Sequence, residues 1–123
     1  MIRSYEDLMV WQKAMDLVVE VYRVVKLLPR EETYGLSDQM RRAAVSVPSN
    51  IAEGQSRNTR KDFINFLCIA RGSNAELRTQ CLICLRLHYI DEGELTKTLS
   101  LSGEVGKMIN AMIASLTKPI TNH

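Results

Sequence analysis

Cys81, Cys84 and His88 sit three and four residues apart, a spacing that on a helix brings two thiols and an imidazole to one face. Those donor types bind zinc, but a structural zinc site wants about four ligands. The only other histidine is the terminal His123, and Cys68 falls more than a right angle from that face. All three side chains instead point into the expected core, where cysteine behaves as a small hydrophobe. A redox Cys-x-x-Cys pair needs exposure at a helix N-terminus, and this pair lies deep inside a helix. The chain has no Ser-His-Asp logic, no phosphate-cradling glycine loop and no carboxylate pair with a cleft. These residues predict a non-enzyme, without metal, cofactor or small-molecule substrate.

Basic residues give a second candidate chemistry. Between Arg41 and Ile90 there are eight basic side chains against three acidic ones, although the whole chain carries only +2. Arg60, Arg71 and Arg78 fall within about 20° of one another on a helical wheel, with Arg57 and Lys61 near the same helix start. Such a stripe can track phosphates, through the backbone and with little sequence preference, since no exposed aromatic accompanies it. The competing reading pairs these arginines with Glu20, Glu104 or the Glu92 to Glu94 turn across a subunit contact. A third polar set, Arg41, Arg42, Ser46, Asn50, Glu53 and Glu76, is read as a structural network around Pro48 that fixes helix register. Its alternative is a polar socket at a subunit junction.

The elements that must position these groups are four helices. Leu8, Trp11, Met15, Val18, Tyr22 and Val25 predict a first helix over about 5–28 with that set as its seam. Leu36, Met40, Ala43, Val47 and Ile51 predict a second over about 37–54, kinked or broken near Pro48 because a mid-helix proline loses one hydrogen bond and clashes with the preceding turn. Thr59 is a good N-cap for a third helix over about 59–89, roughly 45 Å long. A turn at Asp91 to Gly93 precedes a fourth over about 94–116, and Lys118 to His123 is read as a loose tail. Short connections make this one domain, an all-α, antiparallel up-down four-helix bundle. At 123 residues the chain can bury a real core without disulfides, and three cysteines in a chain without an export signal read as reduced thiols. No apolar run approaches the ~20 residues of a membrane span, so the expected location is cytoplasmic.

The third helix carries more apolar surface than one bundle can cover. Phe63, Phe66, Leu67, Ala70, Leu77, Cys81 and Cys84 make the core stripe, while Ile64 and Leu82 lie on one flank and Ile69, Ile83 and Leu87 almost opposite. Another subunit is the simplest cover, and a wide core with a few exposed aliphatics is the alternative. Small residues, among them Ala43, Gly54, Ala70 and Gly72, suit close helix contact.

Three strings, VWQKAMDLVVEVY at 10–22, YGLSDQMRRAAVSVPSNIAEG at 34–54 and FINFLCIARGSNAEL at 63–77, resemble the 23S rRNA intervening-sequence (S23) family over nearly the whole chain. The resemblance implies a small bacterial protein, an antiparallel four-helix bundle assembling as a ring-like homopentamer. A more distant resemblance, to the accessory protein of diversity-generating retroelements, implies a basic ring that partners a reverse transcriptase and nucleic acid. Arg78 stands where the family pattern has an acidic residue, and Asn74 where an apolar one is typical, so a polar network around Glu76 does not carry over. Together these readings predict an oligomeric scaffold or adaptor associated with RNA through the basic face of the third helix. The alternative is a protein-binding accessory subunit of a nucleic-acid enzyme without direct RNA contact.

Overall fold

The computed structural model describes residues 4–119; the last residues of the expected tail, including His123, lie outside them. The chain starts with a 3-10 turn at Tyr5–Asp7, capped by the Ser4 side chain, which accepts from the Glu6 N–H. Leu8 is extended, so helix α1 begins only at Met9 and runs to Val25. The first helix is therefore shorter than the expected 5–28. Its N-terminal turn folds back, with Tyr5 edge-on to Trp11 at 5.3 Å and Gln12 donating to the Glu6 carbonyl at 2.9 Å. Its C-terminus loosens before Pro29, which disfavours helical backbone in Leu28.

A second 3-10 turn at Arg30–Glu32 leads to α2, Leu36–Gln55, which passes Pro48 without interruption. A break at Pro48 is thus absent. The ring is buried and borders a cleft with Trp11, Met15 and Val18 of α1. Helix α3 is Arg60–Arg86, and Thr59 caps it by accepting from the Asp62 N–H. The helix ends at Arg86, three residues before the expected boundary, and two residues on His88 has a φ of 60°, the left-handed conformation. The His88 N–H bonds to the Leu85 carbonyl at 3.1 Å and the Tyr89 N–H to the Cys84 carbonyl at 3.0 Å, the two bonds of a Schellman motif. Helix α4, Glu92–Thr117, opens with a reciprocal capping box between Asp91 and Glu94.

The four helices form an all-α bundle in which each packs on the two beside it, around the circuit α1, α2, α3, α4 and back to α1, most extensively between α2 and α3. Gly54 makes that last approach close, because a Cβ built on it would lie 2.7 Å from the Phe66 Cβ. Leu17, Met40, Ile51, Leu67, Leu77 and Ile109 are fully buried, each worth about 1.5–3 kcal/mol of apolar transfer. No described helix is long and apolar enough to cross a membrane.

The α1 seam is the expected one only at its ends, where Leu8 and Val25 are buried. Between them Val10, Ala14, Leu17, Val21 and Val24 are buried, whereas Met15 and Tyr22 are exposed and Trp11 and Val18 half-buried. The helix has rolled so that one edge of its polar face packs on α4, where Glu20 lies 3.9 Å from Lys97 and Lys13 lies 3.6 Å from Glu104. The opposite edge, which is apolar, faces outward.

Candidate nucleic-acid interface and apolar surfaces

The N-terminal cap of α3 sets the position of its basic residues. Just before it, Arg57 is tied to Glu53 at 3.3 Å and lies over the Phe66 ring at 4.9 Å, so part of its charge is spent within the chain. Arg60 and Lys61 are exposed and have no ion-pair partner among the described residues. Further along, Arg71 donates to the Asn110 side-chain carbonyl at 3.2 Å and Arg78 to the Leu99 carbonyl at 3.2 Å. Both brace α3 against α4. Their partners are neutral oxygens, so neither charge is cancelled, and both side chains remain exposed.

Three of the acidic residues proposed to neutralise this stripe, Glu20, Glu94 and Glu104, are engaged elsewhere in the same chain, whereas the Glu92 side chain is exposed. Glu20 is buried and accepts from the Arg23 Nε at 3.0 Å. That hydrogen bond, helped by the charges of Arg23 and Lys97, holds its carboxyl below the usual range against the opposing effect of burial. Glu104 pairs with Lys13, and Glu94 closes the α4 cap.

The polar set of α2 is divided between both flanks of that helix. The Ser46 and Ser73 hydroxyls are hydrogen-bonded across the α2–α3 contact at 2.7 Å, and the Asn50 amide donates to the Ser46 carbonyl at 2.8 Å and hydroxyl at 2.9 Å. Arg42 turns outward to Asp38 at 3.1 Å, and Glu53 holds Arg57. Arg41 lies on the other flank, toward α1, with the Thr33 carbonyl at 3.4 Å. Glu76 accepts only from Gln80, one turn along α3, at 3.4 Å.

A polar pair that the sequence reading did not single out as a unit lies in the core. The Asn74 amide donates to the Ser102 carbonyl at 2.9 Å, and the Ser102 hydroxyl donates back to the Asn74 Oδ1 at 2.9 Å. In the sequence Asn74 stands out only as a polar residue at a typically apolar position. The signal that could have found its partner is Ser102, a small polar residue in the inward stripe of α4. Cys81 and Cys84 are buried, and burial pushes their thiols up to about 12 and about 11. The Cys84 sulfur lies 3.6 Å from that of Met40. His88, in the turn beyond α3, is exposed and off their helical face.

Most exposed aliphatics fall on two surfaces, with Met9, Leu27 and Leu82 outside them. Ile69, Ile83 and Leu87 emerge on the flank of α3 that carries Ser73, toward α2; Leu82 is exposed on the α4-side flank, and Ile64, on that flank but about 27 Å along the helix, is half-buried. The second surface runs along α1 and onto α2 through Met15, Val19, Tyr22 and Val45, with Val19 exposed to 70%. Gly72, on the outward face of α3, would meet nothing within 4 Å if it carried a Cβ.

The model of the 23S rRNA-intervening sequence protein family matches residues 6–111. The fold is similar to that of a protein of unknown function from the S23 ribosomal protein family of Bacteroides thetaiotaomicron VPI-5482, at 27% identity and a TM-score of 0.79, covering 85% of this chain and 98% of that one. No curated protein matches the chain.

Proposed function

Because this chain belongs to the 23S rRNA-intervening sequence protein family, we propose that it is a non-catalytic, self-assembling scaffold of the bacterial cytoplasm that associates with RNA. The two uncovered apolar surfaces support this reading best. A monomer leaving Val19, Tyr22, Ile69, Ile83 and Leu87 in water forgoes burial of about 25 cal/mol for each Å² of apolar area. The surfaces lie on different helices, so joining one to the other makes a heterologous contact, which closes into a ring when the rotation allows. A ring of five is what the family resemblance implies. Each copy would add Arg60, Lys61, Arg71 and Arg78, cations without a carboxylate partner, and repetition converts a weak phosphate contact into an avid one.

Sedimentation velocity of the full chain tests the assembly. The expected result is a species several times the 14.0 kDa protomer, reduced to the protomer by Ile83→Glu or Val19→Glu. A wild-type protein that sediments as the protomer at tens of micromolar refutes it. Anisotropy titration against a structured RNA at two salt concentrations tests the partner, with affinity expected to fall steeply as salt rises. Assembly without RNA binding would leave a scaffold whose partner is a protein, as an accessory subunit would be.

A further inference from the structure

A second basic site lies at the end of the bundle where α1 turns into α2, well separated in sequence from the stripe on α3. A cavity of about 320 Å³ opens there, lined by Lys26, Arg30, Thr33, Ser37 and Arg41 over an apolar floor that includes Val25 and Leu28. Its size falls within the range of small-ligand clefts, about 300–1,000 Å³. Three cations converge on it, and no carboxylate lines it. Lys26 and Arg30 have no ion-pair partner among the described residues, and Arg41 reaches only the Thr33 carbonyl.

Neither acidic residue of the same turn, Glu31 or Glu32, lines the cavity. Glu32 accepts from the Leu36 N–H at 3.1 Å with one oxygen and from the Tyr89 hydroxyl at 3.0 Å with the other, which commits it to the start of α2 and the end of α3. The Thr33 hydroxyl donates to the Arg30 carbonyl at 2.7 Å and holds the turn. Like charges gathered in a concave site repel one another and raise the local potential, and a bound anion relieves both effects.

An exposed aromatic ring stands beside this cavity, in contrast to the α3 stripe. Tyr34 follows the cavity-lining Thr33 and is 95% exposed. Cations that track a backbone, next to rings on which bases stack, are the two parts of a single-strand binding surface. We propose that the Lys26, Arg30 and Arg41 cavity binds a phosphate of single-stranded RNA while Tyr34 stacks a flanking base. This site rests on the RNA association proposed above and moves the principal contact from α3 to the α1–α2 corner.

The test is an anisotropy titration of the full chain against a labelled oligouridylate of about twelve nucleotides, with duplex RNA as comparator, at several salt concentrations. The variants are Lys26→Gln/Arg30→Gln/Arg41→Gln, Tyr34→Ala and, as the contrasting site, Arg60→Gln/Lys61→Gln. The cavity variant is expected to bind roughly tenfold or more weakly and to lose about 0.7 from the salt slope, the value for one phosphate contact on a single strand. Tyr34→Ala is expected to weaken binding roughly fivefold or more at an unchanged slope. Arg41→Lys, which keeps the charge, is expected to retain most of the binding, and unchanged thermal unfolding of each variant separates lost contacts from lost fold. Wild-type affinity in the cavity variant, with binding lost in Arg60→Gln/Lys61→Gln, overturns the cavity and leaves the RNA reading intact. No wild-type binding even at low salt overturns both.

Discussion

Substituting alanine for glycine should have opposite effects at two positions of this bundle. At Gly54 a new Cβ would lie 2.7 Å from the Phe66 Cβ, 3.0 Å from the Phe63 Cδ1 and 3.3 Å from the Phe63 carbonyl oxygen. Carbon atoms prefer separations of about 3.5–4.0 Å, and neither the Phe66 Cβ nor the Phe63 backbone can swing aside. Helices α2 and α3 must therefore part, at a cost of about 1–3 kcal/mol for overpacking. The gain in helix propensity, up to about 1 kcal/mol, is smaller here because Gly54 is in the last turn of α2. At Gly72, in the middle of α3, the new Cβ meets nothing within 4 Å, so the propensity gain of about 1 kcal/mol stands alone. The two variants should differ by about 2–3 kcal/mol in urea unfolding followed by circular dichroism, with the m-value unchanged. Protein concentration must be matched, since association shifts apparent stability. Gly54→Ala as stable as the wild type would refute the close α2–α3 approach. A destabilised Gly72→Ala would refute the open surroundings of Gly72 and place another surface against it.

Asn74→Ala leaves the buried Ser102 carbonyl and hydroxyl without their partner and should cost about 2–3 kcal/mol in the same assay, whereas Asn110→Ala, at an exposed contact, should cost well under 1. Glu20 has a lowered carboxyl pKa in the fold, so its contribution is present above the ordinary carboxylate pKa and is lost as pH falls through the folded value. Acid unfolding of Glu20→Gln should therefore show a shallower loss of stability below about pH 4 than the wild type. Thiol labelling at neutral pH should modify Cys68 first, with Cys81 and Cys84 protected until unfolding because burial keeps them protonated. His88→Gly removes a left-handed non-glycine residue and should stabilise by about 1 kcal/mol, read as a rise in Tm.

Much of the architecture is legible in the residues, and the exceptions have physical causes. Thr59 before an apolar-periodic segment announces the start of α3, and Met40, Val47 and Ile51 announce the inner side of α2. The seam of α1 misleads because Val, Leu and Met occur at three-and-four spacing on two adjacent stripes. Pattern alone favours the stripe opposite Lys13, Asp16 and Glu20. Tertiary packing favours its neighbour, since Glu20 can be buried once Arg23 and Lys97 hold it. The end of α3 is obscured because His88 carries no glycine signal for a left-handed cap. Of the basic residues, sequence spacing unites Arg60, Arg71 and Arg78 on one face. It cannot see that two of them brace α4, nor that Lys26, Arg30 and Arg41 meet across a turn.

The reciprocal Asn74–Ser102 pair works as an indexing pin between two rods. A shift of α4 along α3 by even one residue would misalign both hydrogen bonds and carry Leu99 and Asn110 away from Arg78 and Arg71. Length changes inside either helix, between Asn74 and Arg86 or between Glu92 and Ser102, rotate everything beyond them by about 100° per residue and disengage the pin. Between Asn74 and Ser102, insertions and deletions in homologous chains should thus be confined to the connection over 87–91, where added length leaves the mating of the two helices untouched.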